Sequence, residues 1–186
     1  MANRPYLQGL YHYANGDLAW GSDNVKVALC SSSYTPNTAA GADEFLNVIP
    51  GGAIVATSGN LGSKTNVGGT LDAANLVFSS VSGSTVTQFA MYNDTGTSST
   101  SQLQFLWDTA TNLPVVPNGG NITIQWAGSP NYIATLCNGL SDDERALVRR
   151  FGWRRLVEIL RAWGIPAERK SGGGIWQPGT PTLVFG

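Results

Sequence analysis

The sequence predicts a mainly β protein: an antiparallel β-sandwich, jelly-roll-like, with a short N-terminal helix and a C-terminal α-helical extension. Three observations predict it. Apolar residues recur with a period of two in at least six short stretches, the spacing of strands with one buried face. Clusters of Gly, Asn, Pro and Ser separate those stretches, among them SSSYTPN, PGG, SGNLG, NVGG, SVSGS, NDTGTSSTS and LPVVPNGGN, and each favours a tight reversal. No helical period lies between the strands, so the long crossovers that parallel pairing needs have no support.

The elements follow in order. Tyr6, Leu7, Leu10, Tyr11 and Ala14 repeat at the i, i+3, i+4 spacing of one helix face, and Asn15-Gly16 supplies the stop. Val25, Val27 and Leu29 then alternate with Lys26, Ala28 and Cys30, which reads as one inward and one outward face. The same alternation marks Ala53 to Thr57, Thr85 to Tyr92 with Thr87, Phe89 and Met91 together, Leu103/Phe105/Trp107, Ile122/Ile124/Trp126 and Tyr132/Ala134/Leu136. At Asn138 the character changes. Ser141 with Asp142, Asp143 and Glu144 forms a capping box and an acidic first turn, so a helix starts there. Val148, Leu156, Ile159, Leu160 and Trp163 share a stripe that Leu147 and Phe151 miss, and with Gly152 this predicts two helices, 141–151 and 153–163, ending at Gly164. ERKSGGG is a link, and Thr182 to Phe185 is a candidate last strand. The chain thus divides into a β body, 1–137, and a helical extension with a C-terminal strand or tail, 138–186.

Composition narrows the class. Of 186 residues, 42% are hydrophobic and 12% charged, about half the roughly 25% of an average domain. Low charge with 10% aromatics argues against disorder. No apolar run approaches the roughly 18 to 20 residues that cross a bilayer, and MANRPYLQGLYHYANG lacks the apolar core of a signal peptide, so no membrane partner is expected. Residues 1–137 carry three basic groups (Arg4, Lys26, Lys64) against seven acidic ones, a net charge of −4, and the remainder carries eight against five, a net of +3. An acidic body repels phosphates, which disfavours nucleic acid. Cys30 and Cys137 each end a predicted strand and could be neighbours; in a reducing cytoplasm they read as free thiols, with a disulfide as the alternative.

The residues that carry chemistry are sparse. His12, the only histidine, falls on the polar side of the first helix and reads as a surface residue. No G-x-S-x-G is present. Gly59-Asn-Leu-Gly62-Ser-Lys64-Thr65 has part of a phosphate-loop pattern, but a serine separates Gly from Lys and strand signals follow, so Gly59 and Gly62 read as turn residues. Asp72, Asp94 and Asp108 are single acids without metal spacing, and Asp94 reads as a turn residue. Trp107 and Trp126 fall on apolar sides, where packing explains them without sugar stacking. No catalytic residue, cofactor or metal is expected. The extension is the sharper feature: Arg145, Arg149, Arg150, Arg154, Arg155 and Arg161 lie among Trp153 and Trp163, a pattern that fits docking onto a partner subunit.

The order of segments GDLAWGSDNVKVALCSSSYTPN, DEFLNVIPGGAIVATSGNLGSKT, TLDAANLVFSSV, MYNDTGTSSTSQL and LPVVPNGGNITIQW, after a short helix, resembles a group of small β-rich structural, decoration-like proteins of tailed bacteriophage virions. The match covers about residues 6–137, and the extension departs from its compact form. The resemblance implies a non-enzymatic virion structural protein, a capsid decoration or head/neck appendage, assembled in the host bacterial cytoplasm and acting through subunit contacts. Other virion proteins (capsid, neck or tail subunits) are the expected partners, and a homo-oligomer, with a trimer as the expected order, fits binding to a repeated lattice. Within that expectation the acidic body self-associates, while Arg150, Trp153, Arg154 and Trp163 anchor the chain on a neighbour. The alternative is a glycan-binding adhesin or fibre component of the virion.

Overall fold

A computed structural model describes residues 3–39, 41–128, 132–136, 177–178 and 181–185. The described chain is mainly β, and every pairing between its named strands is antiparallel. In chain order the elements are β1 (Arg4–Pro5), α1 (Leu7–Asn15), β2 (Val25–Cys30), 3-10 turns at Leu46–Val48 and Gly51–Ala53, β3 (Ile54–Thr57), β4 (Thr65–Val67), β5 (Thr70–Asp72), β6 (Leu76–Phe78) and β7 (Gln88–Asn93). They continue with β8 (Leu103–Trp107), β9 (Ile122–Gln125), β10 (Ala134–Thr135), β11 (Gln177–Pro178) and β12 (Thr182–Phe185). Three sheets result, ordered β1-β8-β7-β2-β3, β11-β10-β5-β4 and β12-β9-β6.

The five-stranded sheet is the centre, and it is buried on both faces. On one face Val25, Val27, Leu29, Phe89, Met91, Phe105 and Trp107 join a large core with Leu71, Leu76, Phe78, Ile122, Ile124 and Leu183 from the other two sheets. Its aromatic heart is Trp107, whose ring centroid lies 5.2 Å from that of Phe89 and 5.6 Å from that of Trp126. On the opposite face Ala28, Cys30, Ala90, Tyr92, Leu103 and Leu106 pack against Tyr6, Tyr34, Ile49 and Ala53. This corrects the expectation of one inward face for the first strand, since Ala28 and Cys30 are as fully buried as Val27 and Leu29. It also divides Leu103 from Phe105 and Trp107. The register between β7 and β8 shifts after Met91, pairing Met91 with Phe105 but Tyr92 with Leu103, and the extra residue turns Leu103 to the other face.

Helix α1 closes the sheet beside β8. Its N-cap residue, Tyr6, is fully buried in the second core, while Tyr13 near its end stacks on Phe105 in the first. The crossing is so close that a Cβ at Gly9 would lie 2.5 Å from the Leu103 carbonyl oxygen and 2.9 Å from the Gln104 Cα. The stop is the expected one: Gly16 takes the left-handed conformation at φ 80° and its N–H bonds back to the helix.

The NVGG cluster is the tight reversal expected of it. Gly68 and Gly69, at φ 61° and 82°, join β4 to β5 in a two-residue hairpin, the conformation a twisted antiparallel pair needs. The last strand is present: Thr182–Phe185 pairs along β9, and Leu183 is fully buried. The helices expected at 141–151 and 153–163 lie outside the described residues.

Candidate interaction surface

The residues that bear chemistry are used within the described chain to tie loops to strands. His12 is not an outward surface residue. Its side chain is only 12% exposed, with Nδ1 3.1 Å from Asp17 Oδ2 and Nε2 2.9 Å from Glu44 Oε1. The Glu44 contact fastens the end of α1 to the 43–49 segment that covers the second core, and the Asp17 contact ties His12 to the residues just after the helix. Glu44 also accepts, through its backbone oxygen, the Leu103 N–H at 2.8 Å.

The three candidate acids are not brought together. Asp94 and Asp108 follow neighbouring antiparallel strands and so lie at opposite ends of the sheet. Asp94 pairs with Lys26 and accepts the Gly96 N–H, and the Lys26 ammonium holds its carboxyl below the usual carboxylate range. Asp108 pairs with Arg4 at 3.0 Å, and Asp72 accepts the N–H of Ala73. Lys64 donates to the Asp23 carbonyl oxygen, and Leu61 of the same loop is buried with its N–H on Val25. The Gly59–Thr65 run therefore pins a loop to the start of β2 and the turn before it. Among the described residues no group of three His, Cys, Asp or Glu is placed to hold a metal ion, and no helix is long and apolar enough to cross a membrane.

The second core carries a polar chain that sequence reasoning missed. The Tyr6 and Tyr34 hydroxyls lie 2.9 Å apart, and Tyr34 Oη donates to Asp43 Oδ2 at 2.7 Å. Gln88, also buried, donates from Nε2 to the Tyr34 carbonyl oxygen at 2.6 Å. Burial pushes the Tyr6 and Tyr34 hydroxyls well above their ordinary value and the Cys30 thiol up to about 12. Cys30 is a free, buried thiol. In the sequence Tyr34 is only one member of the SSSYTPN turn cluster and Tyr6 one of a helical stripe, so nothing local joins them.

The described tryptophans, Trp20, Trp107 and Trp126, are all buried, so none offers a ring face to a sugar. Among the described residues the large apolar side chains that face outward are Leu7, Tyr11, Val48, Val67, Val77, Val116 and Val184. Leu7 and Tyr11, four residues apart on α1, are 45% and 58% exposed. Val77 and Val184 flank Thr123 in one row across the three-stranded sheet, and Val67 stands at the β4–β5 hairpin tip. An open groove of about 410 Å³ beside Leu7 is lined by Arg4, Pro5, Pro36, Asn37, Thr38 and Ala39. The anchor candidates Arg150, Trp153, Arg154 and Trp163 lie outside the described residues. No family model matches the chain, and no curated protein matches it.

Proposed function

We propose that the protein is a non-enzymatic structural component of a tailed-phage virion, a capsid decoration or head/neck appendage protein that acts through subunit contacts. The observation that carries this reading is the ordered set of segments between residues 6 and 137, which resembles such proteins as a set. The body is read as an antiparallel sandwich of jelly-roll type. The large core common to the five-stranded sheet and the two smaller ones supports that layering. The use of Arg4, Lys26, Lys64 and His12 to fasten loops supports a rigid scaffold that recognises its neighbours by shape.

In this reading the body forms the homo-oligomer, with a trimer as the expected order, and Arg150, Trp153, Arg154 and Trp163 hold an adjacent virion protein. Light scattering on the purified chain tests the first half, and a monomeric mass at micromolar concentration rejects it. Labelling of gradient-purified particles with an antibody to the chain tests the second half. Trp163→Ala is expected to abolish that labelling while leaving the body folded, and undiminished labelling removes the anchoring role.

A further inference from the structure

Strands β9 and β12 in one sheet and β10 and β11 in another trace a hairpin in the course of the chain, its two ladders separated by residues 126–133 on one arm and 179–181 on the other. Its first rungs pair Ile122 with Phe185, Thr123 with Val184, Ile124 with Leu183 and Gln125 with Thr182. Its last rungs pair Ala134 with Pro178 and Thr135 with Gln177. Both pairings are antiparallel and both run between the same two arms, 122–135 outward and 177–185 back. Directly paired residues in such a ladder have Cα atoms only about 4.5–5.5 Å apart, a gap that two or three residues close in an ordinary hairpin. Here Leu136 ends the described outgoing arm and Gln177 begins the returning one, with residues 137–176 between them in the chain.

The returning arm is part of the body. Leu183 is fully buried in the large core, its N–H donates to the Thr111 carbonyl oxygen at 3.1 Å, and its own carbonyl oxygen accepts from Asn112 Nδ2 at 2.7 Å. The outgoing arm is equally fixed, because Leu136 packs against the same core and donates its N–H to Gly69 at 2.7 Å. Strand β12, beyond residue 137 in the chain, thus pairs with β9 and adds Leu183 to the large core.

We infer that residues 137–176 are an insert mounted on the turn of this hairpin, and that the body reaches its complete fold without them provided that β11 and β12 are kept. The inference rests on strand register and buried side chains and is independent of the virion reading.

The test compares the full-length chain with three variants. One replaces residues 137–176 by Asn-Gly, giving a three-residue Leu136-Asn-Gly loop with glycine where a left-handed residue is needed. A second replaces them by a five-residue Gly/Ser linker, so that turn geometry alone does not decide the result. The third stops after Leu136. Thermal melting and amide hydrogen exchange are the readouts. Both linked variants are expected to melt cooperatively, within about 5 °C of the full-length chain or above it, and to protect the amides of β2, β7 and β8. The chain stopped at Leu136 is expected to lose that transition. Loss of the transition in both linked variants overturns the inference, as does an unchanged transition in the stopped chain.

Discussion

The two faces of the five-stranded sheet solve the same burial problem with different residues. The first face presents Val27, Leu29, Phe89, Met91, Phe105 and Trp107 to strands of the other two sheets. Strands satisfy their own backbone groups through ladders, so this core is filled chiefly by apolar side chains, with the Trp126 indole N–H bonded to the Ala74 carbonyl oxygen at its margin. The second face presents Ala28, Cys30 and Ala90, and its cover is the irregular chain from Ser31 to Ala53 with Tyr6. Small side chains allow that cover to approach closely, but irregular backbone brings polar groups that must be bonded. Hence Gln88 reaches the Tyr34 carbonyl, and Tyr6, Tyr34 and Asp43 form a chain of hydroxyls ending on a carboxylate. One core is held by volume, the other by volume plus an obligatory hydrogen-bond set.

The largest effect is expected on the first face. Trp107→Ala removes a fully buried indole in contact with Phe89, Phe105 and Trp126, and should cost about 3–5 kcal/mol, read as a fall in the denaturant midpoint. A loss below about 1 kcal/mol would show that this core repacks freely and would erase the contrast. On the second face Tyr34→Phe keeps the ring and removes only the hydroxyl. It leaves Asp43 with the Asn37 N–H as its remaining partner here, and should cost about 1–3 kcal/mol. An unchanged midpoint would mean that volume alone holds this face as well.

Alkali sharpens the comparison without mutation. Burial raises the hydroxyls of Tyr6 and Tyr34, and that of Tyr92 to about 12. A raised value in the folded state contributes stability that is whole below the ordinary tyrosine value near 10 and is lost as pH climbs above it. Unfolding should therefore set in above pH 10, with absorbance at 295 nm rising cooperatively for these tyrosines. Gradual ionisation with the fold intact would contradict the buried network. The smallest effect belongs to neither core. Lys26→Met should cost below about 1 kcal/mol at neutral pH, as exposed pairs do. Because Lys26 depresses the Asp94 carboxyl, that contribution is present above the ordinary carboxylate value near 3.9 and fades as pH falls below it. The difference between variant and parent in urea titrations should therefore shrink as the pH is lowered below about 3.9.

The β content and the helix stop at Gly16 were legible because period-two patterns and Gly after a helical stripe act locally. What the sequence hid was the second buried face. Ala28, Cys30 and Ala90 look like outward positions beside Val27 and Leu29, and only a close-packed cover makes small residues interior ones. The Leu103/Phe105/Trp107 triplet misled for a related reason, since a register shift between strands leaves no mark on either strand alone. The short strands β4, β5 and β6 carry too few residues to show a period, and β1 has only two. His12 looked free because the acid that meets its Nε2 lies 32 residues away, in Glu44.

Strand β1 has a bearing on how the molecule survives crowding. Without it β8, whose five residues are all buried, would offer its ladder groups to any passing strand. Arg4–Pro5 covers that edge with two rungs, at Leu106 and Phe105, and then ends in a residue without an N–H while α1 folds over what remains. A new strand thus meets a charge, a proline and a helix in place of an open template, the devices by which β proteins avoid fibrillar growth. Removing Arg4 and Pro5 would expose a hazard of aggregation whose severity grows with concentration.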